Sequence, residues 1–172
     1  MEIITVAPFL EYYEKIRQRT MRVLAVVPPD RIEWRPDSNG FTIGDLARHI
    51  AAIERYMYAE SALFLPSKYP GHGTELASGY QAVLDFMNRT HAESMQIFGK
   101  LSDSDLQKKT TTPAGTPITL WKWLRAMVEH EIHHRAQIYL YLSLLAIPTP
   151  PLYGLTSEQV RSASGKPDLP KD

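Results

Sequence analysis

The chain has 172 residues, the size of one domain with a substantial core. Its 19 basic and 19 acidic side chains give a formal net charge of zero, which argues against a nucleic-acid partner because phosphate binding needs a net basic face. The absence of cysteine excludes disulfides, thiolate zinc sites, iron–sulfur clusters and a cysteine nucleophile, so any metal must be bound by His, Asp or Glu.

The N-terminal segment shows neither a targeting pattern nor a membrane span. Glu2 is acidic, and no basic-then-apolar pattern of a signal peptide follows it. No apolar run approaches the roughly 20 residues that a membrane-spanning helix needs. We therefore expect a cytoplasmic protein without a membrane partner.

The first predicted helix runs from about Pro8 to Val27. Its apolar side chains recur in steps of three and four residues, the period of an amphipathic helix. Pro8 suits a first helical turn, and the pair Pro28-Pro29 ends the helix. The stretch PPDRIEWRPDSNG is rich in turn-forming residues and is predicted to be a loop.

The second predicted helix covers FTIGDLARHIAAIERYMYAESALF. Thr42 followed by Asp45 resembles a capping box at its start. His49 lies in the middle of the apolar face and is therefore expected to point inward. The segment Leu65–Ala77 contains two prolines and two glycines, and we predict a long crossover to the next helix.

The third predicted helix spans about Ser78 to Lys100. His91 also faces broadly inward, but its place in mid-helix favours a structural or supporting role over direct metal ligation. After this helix, Ser102–Asp105 predicts a short helical turn. The sequence TTTPAGTPIT predicts a bend or small hairpin.

The fourth predicted helix, Thr119 to Ala146, shows the strongest pattern. No Pro or Gly interrupts it. At about 100° per residue, His130 and His134 fall about 40° apart, on one turn of the same apolar arc. His133 lies about 100° from His134, at the edge of that arc, and is not expected to be a ligand.

The C-terminal region contains little regular structure. The prolines of PTPPLYGLTSEQV prevent a continuing helix, Ser157–Ser162 predicts one short turn, and residues 165–172 are predicted to be a flexible tail. The chain as a whole, residues 1–172, is therefore predicted to be a single all-α domain. Its predicted architecture is a four-helix bundle with a long crossover between helices two and three.

Three inward-facing histidines on two helices need an explanation. A neutral imidazole has one donor and one acceptor, and both need partners when the ring is buried. The pair His130 and His134 alone suits either core histidines with hydrogen-bond partners or a metal clamp. Because His49 adds a third imidazole from a facing helix, we predict that the three residues bind one divalent metal ion in the bundle.

Three segments resemble the DinB/YfiT family of metal-binding four-helix proteins. They are FTIGDLARHIAAIE, TPAGTPITLWKWLRAMVEHEIHHRAQIYLYL, which is similar to the family's pattern of His, three residues and His-Arg-Gly-Gln, and the Pro-Pro-x-Tyr-Gly pattern of residues 150–154. The resemblance covers about Phe9 to Arg161. It implies a metal triad of His49, His130 and His134, and Ala136 stands where the family often has glycine.

The resemblance also implies an up-up-down-down-like bundle and a homodimer. Relatives include bacillithiol S-transferases and a mycothiol-dependent maleylpyruvate isomerase. From them we expect a metal-dependent enzyme that activates a thiol or a water, similar to a thiol S-transferase or a hydrolase. Its substrate would be an unknown small molecule, and a low-molecular-weight thiol is the candidate cosubstrate. The alternative is a non-catalytic stress-response or interaction protein with a structural metal.

Three neutral imidazoles leave coordination positions open for water or substrate, which is typical of catalytic sites. Zinc and nickel suit imidazole ligands best, and iron is also compatible. Glu131, on the inner arc of helix four, is the candidate catalytic residue, as a base or as a residue that orients a ligand histidine. The structural alternative for Glu131 is an ion pair with an arginine of a neighbouring helix. Asp45 and Glu60 are weaker candidates of the same kind.

Overall fold

The structure, a computed structural model, describes residues 2–165, so the predicted tail lies outside the described residues except for Gly165. In this part of the chain no helix is long and apolar enough to cross a membrane. The helices are α1 (Val6–Leu24), α2 (Ile43–Ile53), α3 (Ala59–Ala62), α4 (Tyr80–Phe98), α5 (Leu120–Leu144) and α6 (Ser157–Ser164). Two short strands, β1 (Lys109–Thr111) and β2 (Pro117–Thr119), and two 3-10 turns, Pro29–Arg31 and Asp103–Gln107, complete the fold.

The second long helix of the bundle is α2 and α3 joined by a π-helical turn, Glu54–Tyr58. A capping box starts it, as predicted: the Thr42 hydroxyl accepts from the Asp45 N–H at 2.9 Å, and the Asp45 carboxylate accepts from the Thr42 N–H at 3.0 Å. The π-helical turn was not predicted, because the residues around it are good helix formers and contain no Gly or Pro.

The four long helices form the predicted bundle, in which α1 and the α2–α3 helix each pack against both α4 and α5. Contacts between the helices fix their directions: α1 runs parallel to α5, α2 runs antiparallel to α5, and α4 runs parallel to α2. The order is therefore up-down-down-up, and the up-up-down-down-like order that the resemblance implied is wrong. The long crossover is confirmed, since two consecutive parallel helices need a connection that returns along the bundle.

The shorter elements also agree closely with those predicted from the sequence. The segment TTTPAGTPIT contains the turn of an antiparallel hairpin in which Lys109 pairs with Thr119. Thr119 is also the residue that precedes α5. The predicted turn after Ser102 is the 3-10 turn, with a capping box between Ser102 and Asp105. The turn at Ser157 is longer than predicted and forms α6.

Two apolar clusters make up the core, and a polar layer separates them. One cluster contains the N-terminal halves of α1 and α5, and the other contains their C-terminal halves with most of α2. The residues of α1 and α5 that lie between the two clusters include buried polar groups: Arg17, Thr20, Glu131 and Arg135. Charges in such a layer must find partners, because a buried unpaired charge is strongly unfavourable.

Arg48 holds the crossover against the start of α2. The side chain is fully buried, and its guanidinium donates to the carbonyls of His72 and Ala77 at 2.8 and 3.0 Å. It also pairs with Glu33 and Asp45, in each case at 2.7 Å. Further along, the Tyr56 carbonyl in the π-helical turn accepts the Lys68 N–H at 2.7 Å. The crossover is thus tied to α2 at one end and to the π-helical turn at the other.

We expect Arg48→Met to lower the free energy of unfolding by about 3 kcal/mol, because it leaves two carboxylates and two carbonyls without their donor. Urea denaturation monitored by circular dichroism measures this change. The matched control is Arg31→Met: Arg31 is 52% exposed and contacts the exposed Asp30, so this change should cost about 0.5 kcal/mol or less. Equal destabilisation by the two substitutions would contradict the role of Arg48.

Candidate metal centre

Three imidazole nitrogens converge between α2 and α5. His130 Nε2 lies 3.0 Å from His49 Nε2 and 3.1 Å from His134 Nε2. The ligand nitrogens of all three rings lie within 4.8 Å of one another, and in residues 2–165 no other group of His, Asp or Glu side chains converges in this way. The antiparallel packing of α2 and α5 brings His49 opposite the i, i+4 pair on α5.

The donor set fits a divalent metal ion. A neutral Nε2 either donates or accepts, so His130 Nε2 can satisfy only one of its two nitrogen contacts by hydrogen bonding. Nitrogens bound at about 2.1 Å to one ion lie roughly 3.0 to 3.4 Å apart for angles between octahedral and tetrahedral. The spacing of the rings and their unsatisfied lone pairs are therefore both compatible with a common metal ligation.

The electrostatics keep the three rings neutral. Burial is the main cause of the low pKa values of His49, about 4, and His130, about 3. Neighbouring imidazoles, which include His72 for His49 and His133 for His130, lower both values further. Burial also lowers the pKa of His134, while its hydrogen bond with Gln137 acts in the opposite direction. At neutral pH each ring can therefore offer a lone pair to a metal without first losing a proton.

The outer nitrogens of the rings have partners that set the tautomers. His134 Nδ1 donates to Gln137 Oε1 at 2.6 Å, which leaves the lone pair on Nε2. His49 Nδ1 lies 2.7 Å from Tyr69 Oη, which lies 3.1 Å from His72 Nδ1. When His49 donates to Tyr69 and Tyr69 donates to His72, the lone pair of His49 also lies on Nε2.

Tyr69 and His72 are site residues that the sequence pattern did not predict. Both lie in the crossover, where no helical period shows which side chains face the bundle. The one available signal was the presence of a tyrosine and a histidine three residues apart in a segment that had to return past His49. Gln137 follows His134 by three residues on α5, so the helical period places it on the same side as the pair, but its bond to His134 is visible only in the structure.

The site is half-buried and opens towards the surface. All three rings have intermediate exposure. Phe41 packs beside the site, with its ring centroid 5.7 Å from that of His49 and 4.2 Å from that of His72. His133 is exposed and only packs edge-on against His134, at 4.9 Å between centroids, consistent with its predicted place outside the triad.

Glu131 faces away from the three histidines. Its carboxylate accepts from Tyr13 Oη at 3.0 Å and from Thr20 Oγ1 at 2.6 Å, and lies 3.1 Å from Arg17 Nη2. The structure thus gives Glu131 the arginine pairing that the sequence left as the alternative to a catalytic role. Asp45 and Glu60, the weaker candidates for a catalytic carboxylate, also form ion pairs. Asp45 pairs with Arg48, and Glu60 pairs with an arginine and a lysine.

His91 belongs to the buried group of charged side chains around Arg17 and not to the histidine triad. Its Nδ1 lies 2.8 Å from Glu54 Oε1, and its Nε2 lies 3.1 Å from Glu14 Oε2. Glu54 in turn pairs with Arg17. Burial by itself lowers the pKa of His91, but the hydrogen bond and the negative charge of Glu54 outweigh burial and raise this pKa above its ordinary value.

Comparison with known proteins identifies the family. Residues 12–138 match the model of the DinB superfamily, so the chain belongs to that superfamily. A DinB-like protein from Bacillus cereus ATCC 10987 has a similar structure, with a TM-score of 0.74 and 18% identity over 87% of this chain and 99% of that one. The DinB-like protein YjoA from Bacillus subtilis gives a TM-score of 0.71 and 16% identity over 85% and 97% of the two chains. A search of curated proteins gives no significant match.

We expect His91→Gln to reduce stability more at pH 5.5 than at pH 9. The folded state raises the pKa of His91, so its contribution is complete below the unfolded value of about 6.5 and is lost as the pH rises through the folded value. Urea denaturation at the two pH values measures the difference between wild type and variant. The control His133→Gln changes an exposed ring and should change the free energy of unfolding by about 0.5 kcal/mol or less. A His91→Gln effect that is constant with pH would contradict the raised pKa.

Proposed function

We propose that this member of the DinB superfamily is a metal-dependent enzyme in which His49, His130 and His134 hold one divalent ion. The observation that supports this is the convergence of three neutral Nε2 atoms at a half-exposed position. A divalent ion bound there lowers the pKa of a coordinated water or thiol towards neutrality. We infer zinc or nickel as the ion from the imidazole donor set, with iron also compatible.

An open coordination sphere favours an enzyme over a purely structural metal site. Structural zinc sites are closed by four protein ligands, whereas the described residues bring three ligating side chains together here. His91, which would have closed the sphere in a structural site, is instead bound to Glu54 and Glu14. The half-exposed position of the triad leaves room for a water or a small ligand on the outer side.

The protein's own side chains would orient the ligands and shape the approach. Tyr69 and Gln137 hold the rings of His49 and His134 in the tautomer that offers Nε2. Phe41 provides an apolar wall next to the site.

A low-molecular-weight thiol as cosubstrate, in a transferase-like or hydrolase-like reaction, is proposed from the thiol-using relatives. The homodimer that the resemblance implied is likewise a proposal, and a strict monomer in light scattering over a wide concentration range would contradict it.

Replacing any one of His49, His130 and His134 by Ala should weaken metal binding by at least about 100-fold, because each removes one of three ligands. Calorimetry and elemental analysis on protein purified without an affinity tag measure affinity and stoichiometry. The controls His91→Ala and His133→Ala should still bind one equivalent of metal, because neither ring is a ligand. Stoichiometric binding with wild-type affinity in any one of the three triad variants would contradict the site.

Removing the outer partners should weaken the site without destroying it. We expect Tyr69→Phe and Gln137→Leu each to lower metal affinity by roughly 10-fold, because the rings lose the bonds that fix tautomer and orientation. The matched control is Tyr141→Phe, whose ring packs against Trp34 at 5.7 Å between centroids. Competition with a chromophoric chelator measures the three affinities. Unchanged affinity in both Tyr69→Phe and Gln137→Leu would show that these contacts do not orient the ligands.

Cobalt substitution tests whether the bound metal has a coordination position open to an external ligand. In an enzyme of the proposed kind, titrating a low-molecular-weight thiol or azide into the Co²⁺ protein should change its visible absorption, since an external ligand enters an open position. The same titration of the His130→Ala variant is the control. A fully loaded protein whose spectrum responds to neither ligand would identify a sealed, structural metal site and contradict the enzyme proposal.

A further inference from the structure

Arg135 is a buried arginine without a carboxylate partner among residues 2–165. Its side chain is only 2% exposed. Nη1 donates to the Ile16 carbonyl at 3.2 Å, and Nη2 lies 3.5 Å from Tyr153 Oη. Within this part of the chain no Asp or Glu oxygen lies within 4.0 Å of its guanidinium nitrogens. Since a guanidinium has five donors, these two contacts leave most of its hydrogen-bonding capacity unused.

In the described residues the other two buried arginines, Arg17 and Arg48, and the partly buried Arg55 all contact carboxylates. Arg17 contacts Glu54 and Glu131, Arg48 contacts Glu33 and Asp45, and Arg55 contacts Glu60 and Glu93. Each of these three guanidinium groups therefore has a carboxylate in direct contact, whereas Arg135 contacts a backbone carbonyl and a tyrosine hydroxyl. Glu131, one turn before Arg135 on α5, attracts it only at longer range and is itself in contact with Arg17. A buried cation without a counter-charge in direct contact is unfavourable, and an anionic ligand is a direct way to supply one.

Arg135 forms part of the wall of a groove that can hold such a ligand. The groove lies between α5 and residues 149–158 and has a volume of about 590 Å³, which suits a small organic molecule. Ile132, Ala136 and Leu152 give it apolar walls. The one carboxylate in the wall, Glu158, is exposed and interacts with the first turn of α6 through the backbone N–H of its own residue and the Thr156 hydroxyl.

Two more arginines make this side of the groove positive. The Arg19 guanidinium lies over the Tyr153 ring, 5.0 Å from its centroid. Arg22 donates to the Leu152 carbonyl at 3.2 Å. Leu152 and Tyr153, which line the groove, are therefore contacted by three arginines. In the described residues none of these contacts is an ion pair with a carboxylate. Positive potential at one end and apolar walls along the length are complementary to an amphipathic anion.

We propose that this groove binds a small organic carboxylate, with the carboxylate on Arg135 and the apolar body along Ile132 and Ala136. The planar guanidinium fork matches the two oxygens of a carboxylate. A single buried cation in mostly apolar surroundings suits one negative charge and an apolar body better than a phosphate dianion. The groove lies on the face of α5 away from His130 and His134, so it is a second site, independent of the metal centre.

Octanoate is the probe, and octanamide is its neutral match. Titration calorimetry with the protein as purified should show octanoate binding roughly 10- to 100-fold tighter than octanamide, because the charged hydrogen bonds are lost in the amide. Arg135→Met should remove this preference. Ala136→Leu, at an exposed helical position in the groove wall, should block both ligands while leaving the fold intact. Arg89→Met, at an arginine that is 58% exposed and outside the groove, is the control and should bind like the wild type.

Each outcome decides the proposal. If Arg135→Met does not fold, the octanamide comparison and Ala136→Leu still test it. Equal binding of octanoate and octanamide, undiminished binding to Ala136→Leu, or displacement of octanoate by equimolar inorganic phosphate would overturn it. So would loss of octanoate binding in EDTA-treated protein or in His130→Ala, since the carboxylate would then be binding at the metal centre. A change of oligomeric state in Ala136→Leu with octanoate binding intact would show instead that the groove is a contact between subunits.

Discussion

A buried ion-pair cluster joins all four long helices, and the geometry of the histidine site depends on it. Arg17 of α1 pairs with Glu54 at the end of α2 and with Glu131 of α5, and His91 of α4 bonds to Glu54. Buried charges are tolerated only when they meet partners with good geometry, so the cluster disfavours any other register of these helices. Since Glu131 is held against α1, the neighbouring His130 is turned by about 100° towards α2, where it meets His49.

The order of the helices explains how the crossover becomes part of the site. Because the joined α2–α3 helix is followed by the parallel helix α4, the chain between them must return along the bundle. It passes the face of α2 that carries His49. Arg48 fixes this segment through the carbonyls of His72 and Ala77, and the Tyr56 carbonyl fixes it through Lys68. These backbone bonds place the Tyr69 hydroxyl next to the ring of His49. The connection that the topology requires therefore also supplies the outer partner of a ligand.

A single helix, α5, contributes residues to the metal centre, to the ion-pair cluster and to the groove. His130 and His134 face α2 and form the metal centre, Glu131 faces α1 and completes the ion-pair cluster, and Arg135 lines the groove under the C-terminal segment. The 3.6-residue period turns the histidine pair by about 100° from Glu131 and Arg135, which share the side of α5 that contacts α1. Chemically distinct groups thus stand side by side in sequence, and the metal centre and the groove lie on opposite sides of the helix.

The sequence by itself determined the four helices, the crossover, the capping box at Thr42 and the inward direction of His49, His130 and His134. These features follow from local rules: helical period, capping chemistry and the i, i+4 spacing on one face. Only the tertiary structure decided the ion pairing of Glu131, the approach of Tyr69 and His72 to His49, and the direction of the helices. It also decided that Arg135 is buried without a carboxylate of the described residues in direct contact. Each of them depends on which distant group packs opposite, and that is set by the mutual packing of whole helices.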